Sequence, residues 1–341
     1  MIGIRVDVNR KIATGHVMRC LSIASCMKNA GIVCVFIAAD ENAKKIVSSN
    51  GFEVICLNSQ WDDLDKETEQ LVKVVQEYKI DKLLMDSYYV TKQYLERLMA
   101  YTQLIYIDDM SFFRNSVSMV INYNIYYEIF SYPEVYRGTD TQLLLGCNYA
   151  PLRDEFKSVK PSCREMVKKI LITTGGTDPY NVAGKLLRMI IEDNLFKGIE
   201  FYVVVGKLNS YMDYLKELSE KSNSIILQQD VKNMSVLMSD CDIAITAGGS
   251  TMYELCACGV PAICFSFADN QLYGVKGFES AGLMAYAGDI RDSEEECISN
   301  LITNIEEYIN NPKTRKDRSM NMRKKVDGKG ASRIVKAVVD L

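Results

Sequence analysis

Short runs of apolar and β-branched residues alternate with stretches of helical period from one end of the chain to the other. Ile2 to Val8, Val33 to Ala38, Glu53 to Leu57, Lys82 to Met85, Leu104 to Ile107 and Met119 to Asn122 read as strands. The pattern restarts after Pro151, with Lys169 to Thr174, Ile199 to Val205, Ser224 to Leu227, Asp242 to Thr246 and Ala262 to Phe265. Strands separated by helical stretches predict βαβ units on parallel sheets. The expected class is therefore α/β, with two similar doubly wound lobes. Between them, Tyr149 to Pro161 carries prolines and charges but no β or amphipathic run, and reads as a linker. This places the domains at 1–153 and 154–341. After Glu294 the pattern is helical to the end, and Gly328 and Gly330 set off an amphipathic piece, Ala331 to Leu341, able to pack back across the lobes.

Composition narrows the picture. The 341 residues carry 40 Lys+Arg against 44 Asp+Glu, a formal charge of −4, and no long basic tract. Nucleic acid is not expected as a main partner. No apolar run approaches the roughly 20 residues that span a bilayer, and Met1 leads directly into a strand-like alternation, so a cytoplasmic protein without a membrane partner is expected. The 11 cysteines contain no C-x-x-C; Cys34, Cys56 and Cys264 fall in strand-like runs, and Cys256 and Cys258 form only a C-x-C on a predicted helix. Such cysteines read as small core residues of a reducing compartment, and neither a metal site nor a cofactor is expected. His16 is the only histidine, so any histidine acid–base chemistry runs through it.

Doubly wound sheets bind ligands beyond the carboxyl ends of their strands, so the segments after each strand are the places to search. The first strand leads into a helix with apolar positions Val17, Cys20, Leu21, Ala24 and Met27, with Thr14 as its N-cap and Gly31 as its C′ residue. His16 then lies in the first turn, with Arg19 near the same face. The positive helix end favours neutral imidazole, as a general base requires, although a histidine merely hydrogen-bonded at a helix start is an equal reading. In the second lobe, Thr173-Thr174-Gly175-Gly176-Thr177-Asp178-Pro179 follows a strand and is either a ligand loop or a tight turn; it is neither a Walker A sequence nor G-x-G-x-x-G. Ala247-Gly248-Gly249-Ser250-Thr251-Met252-Tyr253-Glu254 is the strongest local signal. Its helix-start amides and hydroxyls suit a diphosphate, and Glu254, one turn in, suits a ribose diol or compensates the helix charge. Ser266, Ala268, Asp269, Asn270 and Gln271 either face a cleft or cap a helix. Asp86-Ser87-Tyr88-Tyr89 and Asp108-Asp109 leave capping and substrate contact open, and Tyr123, Tyr126 and Tyr127 read as packing or surface residues.

Taken in order along almost the whole chain, Arg5-x-Asp7, Gly15-His16-x-x-Arg19-Cys20, Asp86-Ser87-Tyr88, Asp108-Asp109, Pro151-Leu152-Arg153-x-Glu155-Phe156, Gly175-Gly176-x-Asp178-Pro179-x-Asn181, the run Ala247 to Glu254 and Ala268-Asp269-Asn270-Gln271 resemble the UDP-2,4-diacetamido-2,4,6-trideoxy-β-L-altropyranose hydrolases of pseudaminic acid biosynthesis and the related spore coat polysaccharide biosynthesis proteins. The motifs of the second lobe also resemble the donor-nucleotide site of MurG-type glycosyltransferases. The resemblance implies a GT-B-like fold of two Rossmann-type lobes with a cleft between them. It further implies His16 as general base, UDP held by Gly175, Gly176, Gly248, Gly249, Ser250, Thr251 and Glu254, and a sugar met by Asp7, Arg19, Tyr88, Asn270 and Gln271. The reaction expected is metal-independent, inverting attack of water at the anomeric carbon of a UDP-sugar. A transferase of the same fold, a hydrolysing 2-epimerase and a non-catalytic UDP-sugar binding subunit are the alternatives. The loop before the histidine reads Ile12-Ala13-Thr14-Gly15, with Ala13 where the family usually has glycine.

Overall fold

The computed structural model describes all residues except 10–13, 112, 115, 161 and 162. Among the described residues the chain divides into two compact units, Met1–Asp154 with Gly328–Leu341, and Glu155–Asp327. The terminal residues therefore cluster with the first unit, and not with the second, where the linear division at 153/154 put them. The reason is an apolar stripe. In the helix Gly330–Asp340, Ile334, Val335 and Val338 are buried in one cluster with Ile2, Ile4, Val17 and Leu21. Polar contacts add to this: Lys82 Nζ donates to the Val338 carbonyl at 2.6 Å and Arg333 Nη1 to the Asn148 carbonyl at 2.9 Å.

The first unit is built on seven parallel strands, β1 Ile2–Val6, β2 Cys34–Ala38, β3 Val54–Cys56, β4 Lys82–Asp86, β5 Gln103–Ile107, β6 Met119–Asn122 and β7 Gln142–Leu145, in the order β3-β2-β1-β4-β5-β6-β7. Alternate residues face opposite sides. Ile4, Phe36, Leu84, Ile105 and Ile121 join the cluster under the first and last helices, whereas Val35, Ile37, Leu83, Met85 and Leu104 join a second cluster on the other face. The second unit has six parallel strands, β8 Lys169–Thr173, β9 Glu200–Val204, β10 Ile225–Gln228, β11 Ile243–Ala247, β12 Ala262–Ser266 and β13 Ala285–Asp289, in the order β10-β9-β8-β11-β12-β13. All eleven expected strands are present, with ends shifted by no more than two residues. The additional ones, β7 and β13, lie at the sheet edges. β13 reads Ala-Tyr-Ala-Gly-Asp, whose small residues carry little strand signal.

In each sheet the chain order reverses once, between β1 and β4 in the first and between β8 and β11 in the second. These switch points open a crevice at the carboxyl ends of the strands. The first expected site follows β1 and β4, and the second follows β8 and β11.

At Gly330 the terminal helix passes so close to the body of its unit that an added Cβ would lie 2.1 Å from the Ala150 carbonyl oxygen. Gly330→Ala is expected to cost about 1–3 kcal/mol. A lowered urea midpoint with faster amide exchange across the terminal helix would show this; an unchanged midpoint would mean that the contact relaxes without penalty.

Candidate active site

The helix Gly15–Asn29 follows β1 and ends as expected: Gly31, at φ +75°, lets the Ile32 amide reach the Met27 carbonyl at 2.9 Å. Thr14 holds the N-cap position without a side-chain bond, and Ala13 lies outside the described residues. His16, Arg19 and Cys20 are three and four residues apart and so share a face. All three converge on Asp86, the last residue of β4 and the cross-strand neighbour of Val6. His16 Nδ1 lies 2.5 Å from Asp86 Oδ1; Arg19 Nη2 and Nε donate to Asp86 Oδ1 and Oδ2 at 2.6 Å each; and Cys20 Sγ lies 3.5 Å from Oδ2.

Asp86 is 1% exposed. Burial alone pushes its carboxyl up, but the charges and hydrogen bonds of Arg19 and His16 outweigh that and hold it well below the usual carboxylate range. An ionised carboxylate only accepts, so the Asp86 contact assigns the hydrogen to His16 Nδ1 and leaves Nε2 as the basic nitrogen. The Tyr88 ring meets the imidazole edge-on, with centroids 4.6 Å apart. Asp7, His16, Asp86, Ser87, Tyr88 and Tyr89 line a cavity of about 10 Å³, on the order of one water site.

The other expected residues of this unit fall into distinct environments. Asp7 borders the cavity, yet its oxygens accept from Arg5 Nη1 at 2.6 Å and the Ala39 amide at 2.7 Å, and Arg5 in turn grips Glu67 at 2.7 and 2.9 Å. Asp108 closes a turn by accepting from the Met110 and Ser111 amides, and Ser87 accepts from the Tyr89 amide. These two make local turn bonds and Ser87 also borders the cavity, whereas Asp86 is neither a cap nor a surface group. Asp109, whose role the sequence leaves open, pairs with Arg19. Tyr123, which reads in sequence as packing or surface, also belongs here: its hydroxyl accepts from Arg19 Nη1 at 3.1 Å.

In the second unit, Gly175 takes φ +87° with open space around its Cα, and Gly176 lies against Gly206, where a Cβ would fall 2.3 Å from the Gly176 carbonyl oxygen. In the sequence Gly206 carries no signal beyond its place just after a strand. Asp178 is a cap: its oxygens accept from the Val182 and Ala183 amides at 2.8 and 3.1 Å, starting the helix Val182–Glu192. Gly248 and Gly249 differ in purpose. A Cβ on Gly248 would meet Gln271 Cβ at 2.8 Å, so that glycine admits the helix Asp269–Ser280, whereas Gly249 adopts φ +150° and faces open space. Ser250 is exposed at the N-cap of the helix Thr251–Cys258, and Glu254 is half-buried one turn in. Asn270 is exposed at the start of its helix, while Gln271 Oε1 accepts from the Phe267 amide at 2.9 Å. Beneath that helix start, Ser266 donates to Asp289, which hydrogen bonds from Arg291 pull down to about 2, and Arg291 also reaches Asp269 at 2.8 Å. Among the described residues, no group of three or more His, Cys, Asp or Glu is placed to hold a metal ion, and no helix is long and apolar enough to cross a membrane.

Residues 170–336 match the glycosyltransferase family 28 C-terminal domain. The chain is 28% identical over 274 residues to protein MJ1062 of Methanocaldococcus jannaschii, covering 77% of this chain and 54% of that one, so it spans about half the length of this relative. It is 23% identical over 344 residues to spore coat polysaccharide biosynthesis protein SpsG of Bacillus subtilis, covering 100% of this chain and 98% of that one. It is 23% identical over 265 residues to the UDP-2,4-diacetamido-2,4,6-trideoxy-β-L-altropyranose hydrolase of Campylobacter jejuni, covering 76% and 90%. Among solved structures, MurG of Acinetobacter baumannii aligns with a TM-score of 0.66 at 12% identity, over 100% of this chain and 99% of that one. The UDP-GlcNAc 2-epimerase of Neisseria meningitidis aligns at 0.68 and 13%, over 100% of both. The fold is GT-B-like.

Asp86 generates a stability prediction. Because its folded-state pKa lies below the ordinary value near 4, its stabilisation is complete above about pH 4 and is lost as pH falls through the folded-state value. Asp86→Asn, which strips Arg19 and His16 of a charged partner, is expected to cost about 3–5 kcal/mol at pH 7. The gap between wild type and variant should narrow as the solution is acidified below about pH 4. Urea midpoints measured on both sides of that pH test it, and a gap that does not change would contradict the assignment.

Proposed function

We propose that this chain hydrolyses a UDP-linked 2,4-diacetamido-2,4,6-trideoxy sugar to UDP and free sugar, in pseudaminic acid or related nonulosonate biosynthesis. One observation carries this reading: the single histidine is held through Nδ1 by a buried carboxylate, and its ring lines a water-sized cavity. A transferase that activates a sugar hydroxyl also uses a base. The similarity to the Campylobacter hydrolase and to SpsG is what favours water as the acceptor.

In the proposed step, His16 Nε2 takes a proton from water as the water oxygen bonds to the anomeric carbon. The bond from that carbon to the diphosphate oxygen breaks with its electron pair staying on UDP, and the anomeric configuration inverts. Diphosphate leaves as a stabilised anion, so the backbone amides of Gly249, Ser250 and Thr251 at a helix start do the work that a second carboxylate performs in an ordinary inverting glycosidase. The reaction needs no metal ion. Gly175 and Gly176 border the nucleotide, and Glu254 accepts hydrogen bonds from the ribose diol. Tyr88 and Asn270 meet the sugar, while Asp7 and Gln271, whose oxygens already have internal partners, shape the walls behind them.

The family 28 match over 170–336 favours a second reading, transfer of the sugar to an acceptor lipid or glycan. UDP release from UDP-2,4-diacetamido-2,4,6-trideoxy-β-L-altropyranose, with proton NMR of the first-formed anomer, separates the two. Release without acceptor is expected, falling about 10²–10⁴-fold in His16→Ala while UDP still binds. Release only when an acceptor is supplied would favour transfer. Tight UDP binding without turnover would mark a binding subunit, and undiminished release by His16→Ala would remove His16 from the mechanism. Gly249→Ala places a Cβ at φ +150° and is expected to weaken UDP binding. The loss should be about tenfold if one contact of about 1.4 kcal/mol goes, as read by calorimetry.

A further inference from the structure

Arg19 has the composition of a substrate contact: a cation in the first helix, one turn from the proposed base. Its geometry is different. A guanidinium has five N–H donors, and Arg19 has five acceptors for them. Nε and Nη2 reach Asp86 at 2.6 Å each, Nη2 and Nη1 reach Asp109 at 2.8 and 3.1 Å, and Nη1 reaches the Tyr123 hydroxyl at 3.1 Å. The side chain is 9% exposed. No donor is left over for a sugar.

We infer that Arg19 is a positioning residue for His16, acting through Asp86 with Asp109 as its second anchor, and that it does not touch substrate. The two carboxylates set the plane of the guanidinium, and Asn124 Nδ2 fixes Asp109 in turn with a bond of 2.8 Å to Oδ1. The paired Nε and Nη2 donors then hold both Asp86 oxygens, which leaves Oδ1 aimed at His16 Nδ1. Two carboxylates around one guanidinium leave an excess negative charge beside the imidazole. The proton that Nε2 takes from water neutralises that excess, so the cluster is best balanced after the proton has moved. Lysine cannot substitute, since an ammonium has three donors and no planar fork with which to orient one carboxylate while gripping another.

The inference rests on the hydrolase reading for its kinetic arm only. Because the chain has one histidine, long-range ¹H–¹⁵N spectra of the labelled full chain show one imidazole, and its tautomer is read without substrate. At a pH where the ring is neutral, wild type is expected in the Nδ1–H form. Arg19→Lys is expected as a mixture with Nε2–H, with kcat on the UDP-sugar lower by about 10²-fold and KM little changed. Asp109→Asn, nearly isosteric, should move both readouts in the same direction by less, and it carries the test if Arg19→Lys does not fold. A raised KM at unchanged kcat would make Arg19 a substrate contact, and a pure Nδ1–H tautomer in Arg19→Lys would overturn the positioning role. If wild type does not turn over the UDP-sugar, the hydrolase reading fails, and the tautomer comparison alone decides this one.

Discussion

Asp86 lies at the end of a central strand, 1% exposed, and remains ionised there, which a protein interior allows only when counter-charge and donors surround the carboxylate. That requirement organises the first unit's site. Two oxygens must be satisfied, and the neighbouring helix supplies His16, Arg19 and Cys20 from positions that a helix brings to one face. The contact is possible because β1 and β4 are neighbours, so the helix that leaves β1 passes over the end of β4. Val17, Leu21 and Ala24 bury the other flank of the same helix in the core. The helix is thus fixed in rotation by polar bonds and in height by apolar packing. A histidine held in this way has one nitrogen spoken for, and its ring lines the cavity beside Asp86 and Tyr88.

The second unit repeats the topology and not the chemistry. Its switch-point loops present backbone in place of titratable side chains: Gly175 and Gly249 at positive φ in open space, and the start of the helix Thr251–Cys258. The side chains with charge in this region mostly serve the scaffold, as Asp178 does for its helix and Asp289 and Arg291 do beneath Asp269. Backbone amides suit an anion that is bound and released without proton transfer, since they cannot change charge. A base needs the opposite, a group whose protonation state changes. On the proposed reading, one α/β architecture carries both kinds of site by altering the loops and helix starts beyond the strands at its switch points.

How much of this was legible in the sequence depends on the range of each contact. Strands rich in Val and Ile announced themselves, whereas β13, with two alanines and a glycine, did not. The pairing of His16 with Arg19 was legible because three residues on a helix define a face. Their shared partner was not: Asp86 lies 70 residues from His16, and Asp109 lies 90 from Arg19. A post-strand aspartate looks the same in sequence whether it closes a turn, like Asp108, or anchors a histidine, like Asp86. The glycines were visible as a group, but the division of labour between Gly248, which admits a helix, and Gly249, which opens the backbone, depends on packing 23 residues away at Gln271. The terminal helix was legible as amphipathic, while its partner surface, formed with β1 and the first helix, was not.

Arg5 and Arg19 share a pattern that bears on why these charges are buried at all. Each is nearly or fully buried and each is gripped by two carboxylates, Asp7 and Glu67 for one, Asp86 and Asp109 for the other. Well-packed apolar side chains of similar volume often stabilise a fold better than such clusters, because desolvating the ions costs several kcal/mol each. Stability alone therefore does not account for placing two of them at the carboxyl ends of β1 and β4. Direction does. Apolar contacts are indifferent to small rotations, whereas a guanidinium held by two carboxylates has one orientation in its plane. The Arg5 cluster ties β1 to the loop after β2 through Asp7 and the Ala39 amide, and the Arg19 cluster ties β4 to the first helix. Between those two ties lies His16, whose ring must point Nε2 at a reacting water within a few tenths of an ångström if it is to work as a base.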